Sequence, residues 1–225
     1  MLGALRRRGA VIGLSGGVDS AVVASLLVRA LGPKRVLGLL MPERDSSPDA
    51  LRLGRKLASE LELEAVVEDI TPALVAVGCY ARQLDAIRSV FPDCAEGSRF
   101  KLSLPSVTAS NRLNVSLLTV VSPDGERRSS RMPPRAYLAL IAATNFKQRI
   151  RKSMEYFHAD RLGYAVAGTP NRLEYDQGFF VKQGDGAADL KPIAHLYKTQ
   201  VYALAEALGV PEAVSYTHLT LPTNR

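Results

Sequence analysis

The sequence predicts an α/β protein with a doubly wound parallel sheet, helices on both faces and an inserted β-hairpin. Apolar runs at 10–14 and 36–41 predict two strands and 63–70 a third, and each is followed by residues at helical spacing. This alternation of strand and helix is typical of parallel sheets. The alternation stops between 91 and 134, where extended arms flank a turn signal at 122–125, which favours a hairpin.

Start and stop signals delimit the helices of the first half. A helix that begins at Val18 meets Gly32 and a following proline, which are normal stop signals. The next helix, 49–61, carries leucines on one stripe. Pro72 opens a third helix, which we expect to continue to about Val90.

The second half returns to the same alternation after the hairpin. Helical spacing covers 135–161, a short strand follows at 164–167, and a last helix closes at Gly209. We expect a single domain over 1–214, in which the excursion at 91–134 is a lid, a contact surface or a solvated decoration.

Composition narrows the class of protein. At 225 residues, with 47% hydrophobic residues, the chain is long enough for one α/β core. It has no apolar stretch long enough to cross a bilayer, and its first strand begins too early to leave room for a signal peptide. We therefore expect a cytoplasmic protein without membrane attachment, whose two cysteines, Cys79 and Cys94, are free thiols.

The net charge of +7 suits either a polyphosphate ligand or a nucleic acid. Basic residues are mostly dispersed, and no RNA-binding pattern of interleaved aromatic residues accompanies them. We therefore do not expect a nucleic-acid partner.

The segment 15–20, with the sequence SGGVDS, joins the first strand to the first helix. Adjacent glycines permit a sharp turn, and the free N–H groups of the helix form an anion site. A Walker A loop would carry lysine where this chain has Asp19. A carboxylate about 4 Å from a phosphate is repelled by roughly 4 kcal/mol at an effective dielectric constant of about 20, so Asp19 favours a bridging Mg²⁺. The alternative is an ordinary strand–helix turn in which Asp19 complements the helix dipole.

A second polar segment spans 168–189. Glu174 is a carboxylate suited to the same Mg²⁺, and the turn at 184–186 lets backbone approach a substrate. Lys182 and Lys198 supply compact positive charge for phosphate. Taken alone, this segment would be a glycine-rich surface loop.

Together the two segments resemble a known family. Residues 15–20 resemble the pyrophosphate-binding loop of the ATP pyrophosphatase superfamily, whose domain is adenine-nucleotide hydrolase-like. The downstream pattern resembles the NAD synthetase family, with matching stretches at 145–151, 168–174, 178–189 and 192–201. Two departures stand beside this likeness: the excursion at 91–134 is longer than in compact members, and the tail at 215–225 matches nothing in the family, so that we expect it to be foreign or disordered.

The resemblance implies a role for each matching residue. The ATP phosphates would be bound by residues of the first loop: Gly13, Leu14, Ser15, Gly16, Gly17, Val18, Asp19 and Ser20. Thr169 and Lys198 would also contact ATP, and Asp19 and Glu174 would bind Mg²⁺. Arg149, Lys182 and Asp189 would contact deamido-NAD.

The resemblance also implies an ATP-dependent ligase that forms NAD from deamido-NAD and ammonia, releasing AMP and pyrophosphate. The reaction would pass through an acyl-adenylate, without a covalent protein nucleophile. A homodimer is expected, and the ammonia would be free or come from a separate glutaminase, because an amidotransferase domain does not fit this length. Two other interpretations remain open: a different ATP pyrophosphatase, such as a tRNA-thiolating enzyme, and a truncated nucleotide-binding remnant without turnover.

Overall fold

The computed structural model describes residues 6–103 and 116–215. These residues form two compact units. The parallel unit comprises 6–73 and 147–215, and the antiparallel unit comprises 74–103 and 116–146.

Strands and helices alternate through most of the described residues. The strands are β1 (Ala10–Gly13), β2 (Val36–Leu40), β3 (Glu64–Val67), β4 (Arg99–Ser103), β5 (Leu117–Val121), β6 (Arg127–Arg131) and β7 (Ala165–Ala167). The helices are α1 (Val18–Leu31), α2 (Pro48–Glu60), α3 (Thr71–Ala76), α4 (Cys79–Arg88), α5 (Pro134–Leu162), α6 (Arg172–Asp176), α7 (Lys198–Ala207) and α8 (Glu212–Ser215), with a short 3₁₀ turn at Pro33–Arg35.

The parallel unit is built on a four-stranded sheet in the order β3-β2-β1-β7, and all of its strand pairs are parallel. β1 lies between β2 and β7. Ile12 belongs to a core shared with residues of α1, α2, α7 and α8, and Val11 on the opposite face is equally buried. Both faces of β1 are therefore covered, which confirms the predicted doubly wound α/β fold.

β3 is shorter than the predicted strand at 63–70. It lies at the edge of the sheet, pairs with β2 alone, and leaves most of its side chains exposed. Leu63 and Ile70, which flank it, are buried. These buried flanks explain why the apolar pattern extends beyond the paired residues.

The helix expected from 72 to about 90 is instead two helices, α3 and α4. Gly78 separates them in the left-handed conformation, with φ of +68°, and its N–H donates to the carbonyl of Val75 at 2.9 Å. Glycine adopts this conformation without steric cost, so the chain turns here and begins a new helix at Cys79.

The antiparallel unit contains the predicted hairpin, as β5 and β6, and extends it with β4 into a sheet of order β4-β5-β6. The predicted turn is present, with the Gly125 N–H donating to the carbonyl of Ser122 at 2.9 Å. Leu118 and Val120 of β5 pack with Ile87 and Leu140 in the core of this unit. The residues at 104–115 lie outside the described part of the chain.

The remaining predictions concern the helix at 135–161, membrane-spanning segments and the tail at 215–225. α5 coincides with the segment predicted at 135–161 to within one residue at either end. None of the helices in the described residues is long and apolar enough to span a membrane. Of the predicted tail at 215–225, only Ser215 lies in the described residues, at the end of α8.

Candidate functional site

The loop between β1 and α1 is closed by its own serine hydroxyls. The Gly17 N–H donates to Ser15 Oγ at 3.3 Å, and the two hydroxyl oxygens of Ser15 and Ser20 lie 3.0 Å apart. Ser20 Oγ donates in turn to the Gly17 carbonyl at 2.8 Å. This ring of hydrogen bonds holds the backbone at the first turn of α1, where helix N–H groups are free to bind an anion.

Glycine is required in this loop by close packing. Gly16 has φ of +79°, and a Cβ there would lie 2.8 Å from the carbonyl oxygen of Ala50 in α2. At Gly13, the last residue of β1, a Cβ would lie 2.9 Å from Glu155 Oε1, which is the end of a side chain rather than backbone. Leu14 and Val18 are buried, so these two predicted ATP-binding residues have only backbone to offer a ligand.

Asp19, in the first turn of α1, has two polar partners from the second half of the chain. Its Oδ2 forms an ion pair with Lys198 Nζ at the start of α7, and its Oδ1 accepts from Asn171 Nδ2 at 3.3 Å. The side chains of Asp19 and Lys198 are 23% and 36% exposed. Two predicted ATP-binding residues therefore meet directly, and both remain accessible to a ligand.

Glu174 is held in a capping box at the start of α6. Its Oε2 accepts from the Asn171 N–H at 2.8 Å, while Asn171 Oδ1 accepts from the N–H groups of Leu173 and Glu174 at 3.0 and 3.3 Å. Thr169, two residues before the cap, is half-buried just after β7. Asn171 thus contacts both predicted metal ligands, a role that the sequence interpretation did not assign, although its N-x-x-E spacing matches a capping box.

The negative charges of Asp19 and Glu174 favour a cation that would separate these two carboxylates from a phosphate. Burial raises the pKa of Glu174 above its ordinary value; the Asn171 N–H opposes this rise, and the negative charge of Asp19 adds to it. Mg²⁺ commonly takes one or two carboxylates from the protein and its other ligands from phosphate and water. Asp19 and Glu174 are carboxylates of the kind that this donor set requires.

The three residues predicted to contact deamido-NAD lie around a different part of the parallel unit. Arg149 Nε donates to the Lys182 carbonyl at 3.2 Å, and Asp189 Oδ1 accepts from the Tyr156 hydroxyl at 3.3 Å. The second oxygen, Asp189 Oδ2, accepts from the Val166 N–H of β7 at 2.8 Å. Asp189 therefore anchors its own loop to the sheet as well as facing Tyr156.

Tyr156 and Lys182 help to line a cavity of about 320 Å³. Its other lining residues are Phe180, Gln183, Gly186, Ala187, Ala188 and Lys191. Burial, together with the neighbouring Asp189 carboxylate, raises the pKa of Tyr156 to about 12. The Tyr156 hydroxyl is therefore a hydrogen-bond donor at neutral pH, and the two lysines make the wall suitable for an anionic substrate.

The short helix α6 carries Glu174, which belongs to the carboxylate site, and a second residue that packs against the lining of this cavity. Glu174 accepts from the Asn171 N–H, whereas the ring of the next residue, Tyr175, packs 5.4 Å from that of Phe180. The ammonium group of Lys191 lies 5.0 Å from the centre of the Tyr175 ring. Neighbouring residues of one short helix thus contribute to both places.

The sequence interpretation also missed the ion pairs that hold the loop after β2. Lys147 of α5 contacts Glu43 Oε1 at 3.1 Å and Asp45 Oδ2 at 2.8 Å. Arg151, one turn later, donates to the carbonyl of Met41 at 3.3 Å. The basic spacing of 145–151 was visible, but nothing local indicates which distant acids it meets.

These features define a class of protein: a nucleotide-binding α/β protein with a glycine–serine phosphate loop and two carboxylates beside the end of its central strand. Comparison with known proteins identifies the family. The family model described as NAD synthase matches residues 3–99 and 121–220. The chain belongs to the NAD synthase family, as the sequence predicted.

Curated relatives give the same result. The chain is 64% identical over 214 residues to the NH(3)-dependent NAD(+) synthetase of Mesorhizobium japonicum, covering 95% of this chain and 67% of the relative. It is 44% identical over 207 residues to the enzyme of the same name from Thermotoga maritima, covering 92% and 68%. The chain spans about two thirds of the length of the curated relatives that it matches.

Solved structures share the fold. The NH3-dependent NAD synthetase of Campylobacter jejuni aligns with a TM-score of 0.63 and 28% identity, covering 95% of this chain and 69% of that one. The NMN synthetase of Francisella tularensis aligns with a TM-score of 0.64 and 26% identity, covering 95% and 66%. Both likenesses extend over nearly all of this chain.

Proposed function

We propose that this chain catalyses ATP-dependent amide formation, converting deamido-NAD and ammonia to NAD with release of AMP and pyrophosphate. One observation carries the proposal. Asp19 and Glu174, which are distant in sequence, are joined through Asn171 beside the phosphate loop of a chain that belongs to the NAD synthase family. This arrangement suits a metal–triphosphate ligand.

The ATP site uses both the loop and the carboxylates. The N–H groups at the first turn of α1 bind phosphate oxygens, and Ser15 and Ser20 keep that backbone in place. Asp19 and Glu174 would hold Mg²⁺, which when bound would supply charge neutralisation for the triphosphate. Lys198 and Thr169 complete the contacts to ATP.

The acceptor site is the cavity beside Tyr156. Arg149, Lys182 and Asp189 bind and orient deamido-NAD. Its carboxylate attacks the α-phosphate of ATP, and pyrophosphate leaves as the bond between the α- and β-phosphates breaks. The resulting acyl-adenylate is attacked by ammonia, and AMP leaves with the bonding electrons. The chain contributes positioning and charge stabilisation rather than a covalent nucleophile.

The cellular context follows from the family resemblance. We infer a cytoplasmic protein that acts as a single domain and assembles as a homodimer. Its ammonia is free or is delivered by a separate glutaminase. The oligomeric state can be checked by light scattering on the purified chain.

The test is a product assay on the purified chain with MgATP, ammonium and deamido-NAD. NAD, AMP and pyrophosphate are expected in equal amounts, because the loop resembles a pyrophosphate-binding loop and lacks a Walker lysine. ADP and phosphate as the main products would contradict the proposal. The deamidated form of NMN is assayed in parallel, since one structural neighbour is an NMN synthetase.

A further inference from the structure

Asn171 forms hydrogen bonds to both predicted metal ligands, Asp19 and Glu174. Its side chain is almost fully buried, with 4% of the residue exposed. Its amide nitrogen donates to Asp19 Oδ1, its amide oxygen accepts from the first N–H groups of α6, and its backbone N–H donates to Glu174 Oε2. Every polar atom of the side chain is therefore used.

The direction of the amide group is set by these partners. If the amide were rotated by 180°, its NH₂ group would face the Leu173 and Glu174 N–H groups, and its oxygen would face the Asp19 carboxylate. Both contacts would be repulsive. Asparagine meets the two demands at once, because it presents an acceptor to α6 and a donor to α1.

We propose that Asn171 is the positioning residue of the metal site, and that it sets the affinity for Mg²⁺ by fixing Asp19 and Glu174 relative to each other. This inference rests on the proposed role of the two carboxylates as Mg²⁺ ligands. Hydrogen bonds that orient metal ligands are typically worth about 10- to 100-fold in metal affinity or activity. Asn171 acts through the carboxylates and does not touch the substrate.

Two substitutions separate this role from helix capping. Asn171→Ser keeps a good N-cap oxygen for α6 but lacks the donor that reaches Asp19, whereas Asn171→Ala removes both. Asp69→Ala is the matched control. Its carboxylate accepts from the Thr71 N–H at 2.8 Å at the start of α3, so it removes a capping bond away from the site.

The measurement is Mn²⁺ binding, followed by electron paramagnetic resonance in the presence of an ATP analogue with a methylene bridge between the α and β phosphates. We expect Asn171→Ser to weaken Mn²⁺ binding about 10-fold or more, with a melting temperature close to the parent. Asn171→Ala should weaken it as much and also melt lower. Asp69→Ala should melt lower and bind Mn²⁺ like the parent.

Parent-like Mn²⁺ binding by Asn171→Ser would overturn the proposal and leave Asn171 as a helix cap only. A folded parent chain that binds no Mn²⁺ would overturn it too. If the parent releases no AMP and pyrophosphate, yet Asn171→Ser still loses Mn²⁺ binding, the proposed function fails and the positioning role stands. In an active chain, excess Mg²⁺ should restore turnover to Asn171→Ser.

Discussion

Lys198 at the start of α7 forms an ion pair with Asp19 in the first turn of α1, across 179 positions of the sequence. In this ion pair the ammonium group of Lys198 and the carboxylate of Asp19 neutralise each other. The proposed ATP complex needs Lys198 for a phosphate and Asp19 for a cation. Binding of the metal–nucleotide complex would therefore exchange one set of opposite charges for another, without leaving either residue unpaired.

Lys198→Met tests this exchange. Without nucleotide, Mn²⁺ should bind more tightly by up to about fivefold, because partly exposed ion pairs contribute up to about 1 kcal/mol. ATP should bind more weakly, since a phosphate contact is lost. Lys198→Arg, which keeps the charge, serves as the control. Titration calorimetry measures both ligands, and unchanged Mn²⁺ affinity in Lys198→Met would mean that the ion pair does not compete with the metal.

Asp19→Asn and Glu174→Gln should each reduce Mg²⁺-dependent AMP release to near background. Both substitutions keep the side-chain shape while removing a negative charge that the cation needs. Far-ultraviolet circular dichroism should stay like that of the parent. Asp176→Asn, at the exposed end of the same helix as Glu174, is the matched control and should keep its activity. Substantial turnover by either site variant at saturating Mg²⁺ would remove the metal assignment.

Gly16→Ala should weaken ATP binding by at least tenfold. A positive φ costs an L-residue roughly 1–3 kcal/mol, and the new Cβ would also meet the Ala50 carbonyl oxygen, so the loop has to move. Gly32→Ala is a close control, because Gly32 has φ of +81° and open space around its Cβ position. It should cost stability but leave ATP affinity unchanged. Equal ATP affinities in the two variants would show that packing on α2 does not shape the loop.

Lys152 and Glu155 form a buried ion pair on α5, with 2.5 Å between Nζ and Oε2. Lys152→Met should lower the free energy of unfolding by about 3–5 kcal/mol at pH 7, because it leaves a buried carboxylate unpaired. The double variant Lys152→Met with Glu155→Leu should recover most of this loss, since apolar replacements of buried pairs are often neutral. Urea denaturation measures both values, and a double variant no more stable than the single one would contradict this account.

The same pair predicts the direction of a pH effect. Burial raises the pKa of Glu155, so the folded chain holds this proton more tightly than the unfolded chain. The Glu155 contribution to stability therefore falls as pH rises from the ordinary glutamate range through the raised pKa. Without Lys152 this fall should be larger, so the destabilisation by Lys152→Met should be smaller at pH 5 than at pH 8. Equal destabilisation at the two pH values would show that loss of Lys152 does not raise the pKa of Glu155 further.

Several elements follow from local sequence because their causes are local. β1, the loop at 15–20 and α1 are specified by an apolar run, adjacent glycines and helical spacing within about 25 residues. β6 is predicted only by the turn signal at 122–125, since Arg127–Arg131 carries no apolar side chain and is held by backbone pairing to β5. The break at Gly78 was also missed, because helical spacing continues on both sides of it.

The sequence by itself determined the α/β class, the family and the side chains that are candidates for binding ATP, metal and substrate, since each rests on residue type and short spacing. The tertiary structure alone decided which of them meet. Asn171 contacts Asp19 across 152 positions, and Lys147 contacts Glu43 across 104. These contacts depend on β1 and β7 being neighbours in the sheet and on α5 lying near the end of β2. Such partners are selected by the packing of distant segments, which no local pattern encodes.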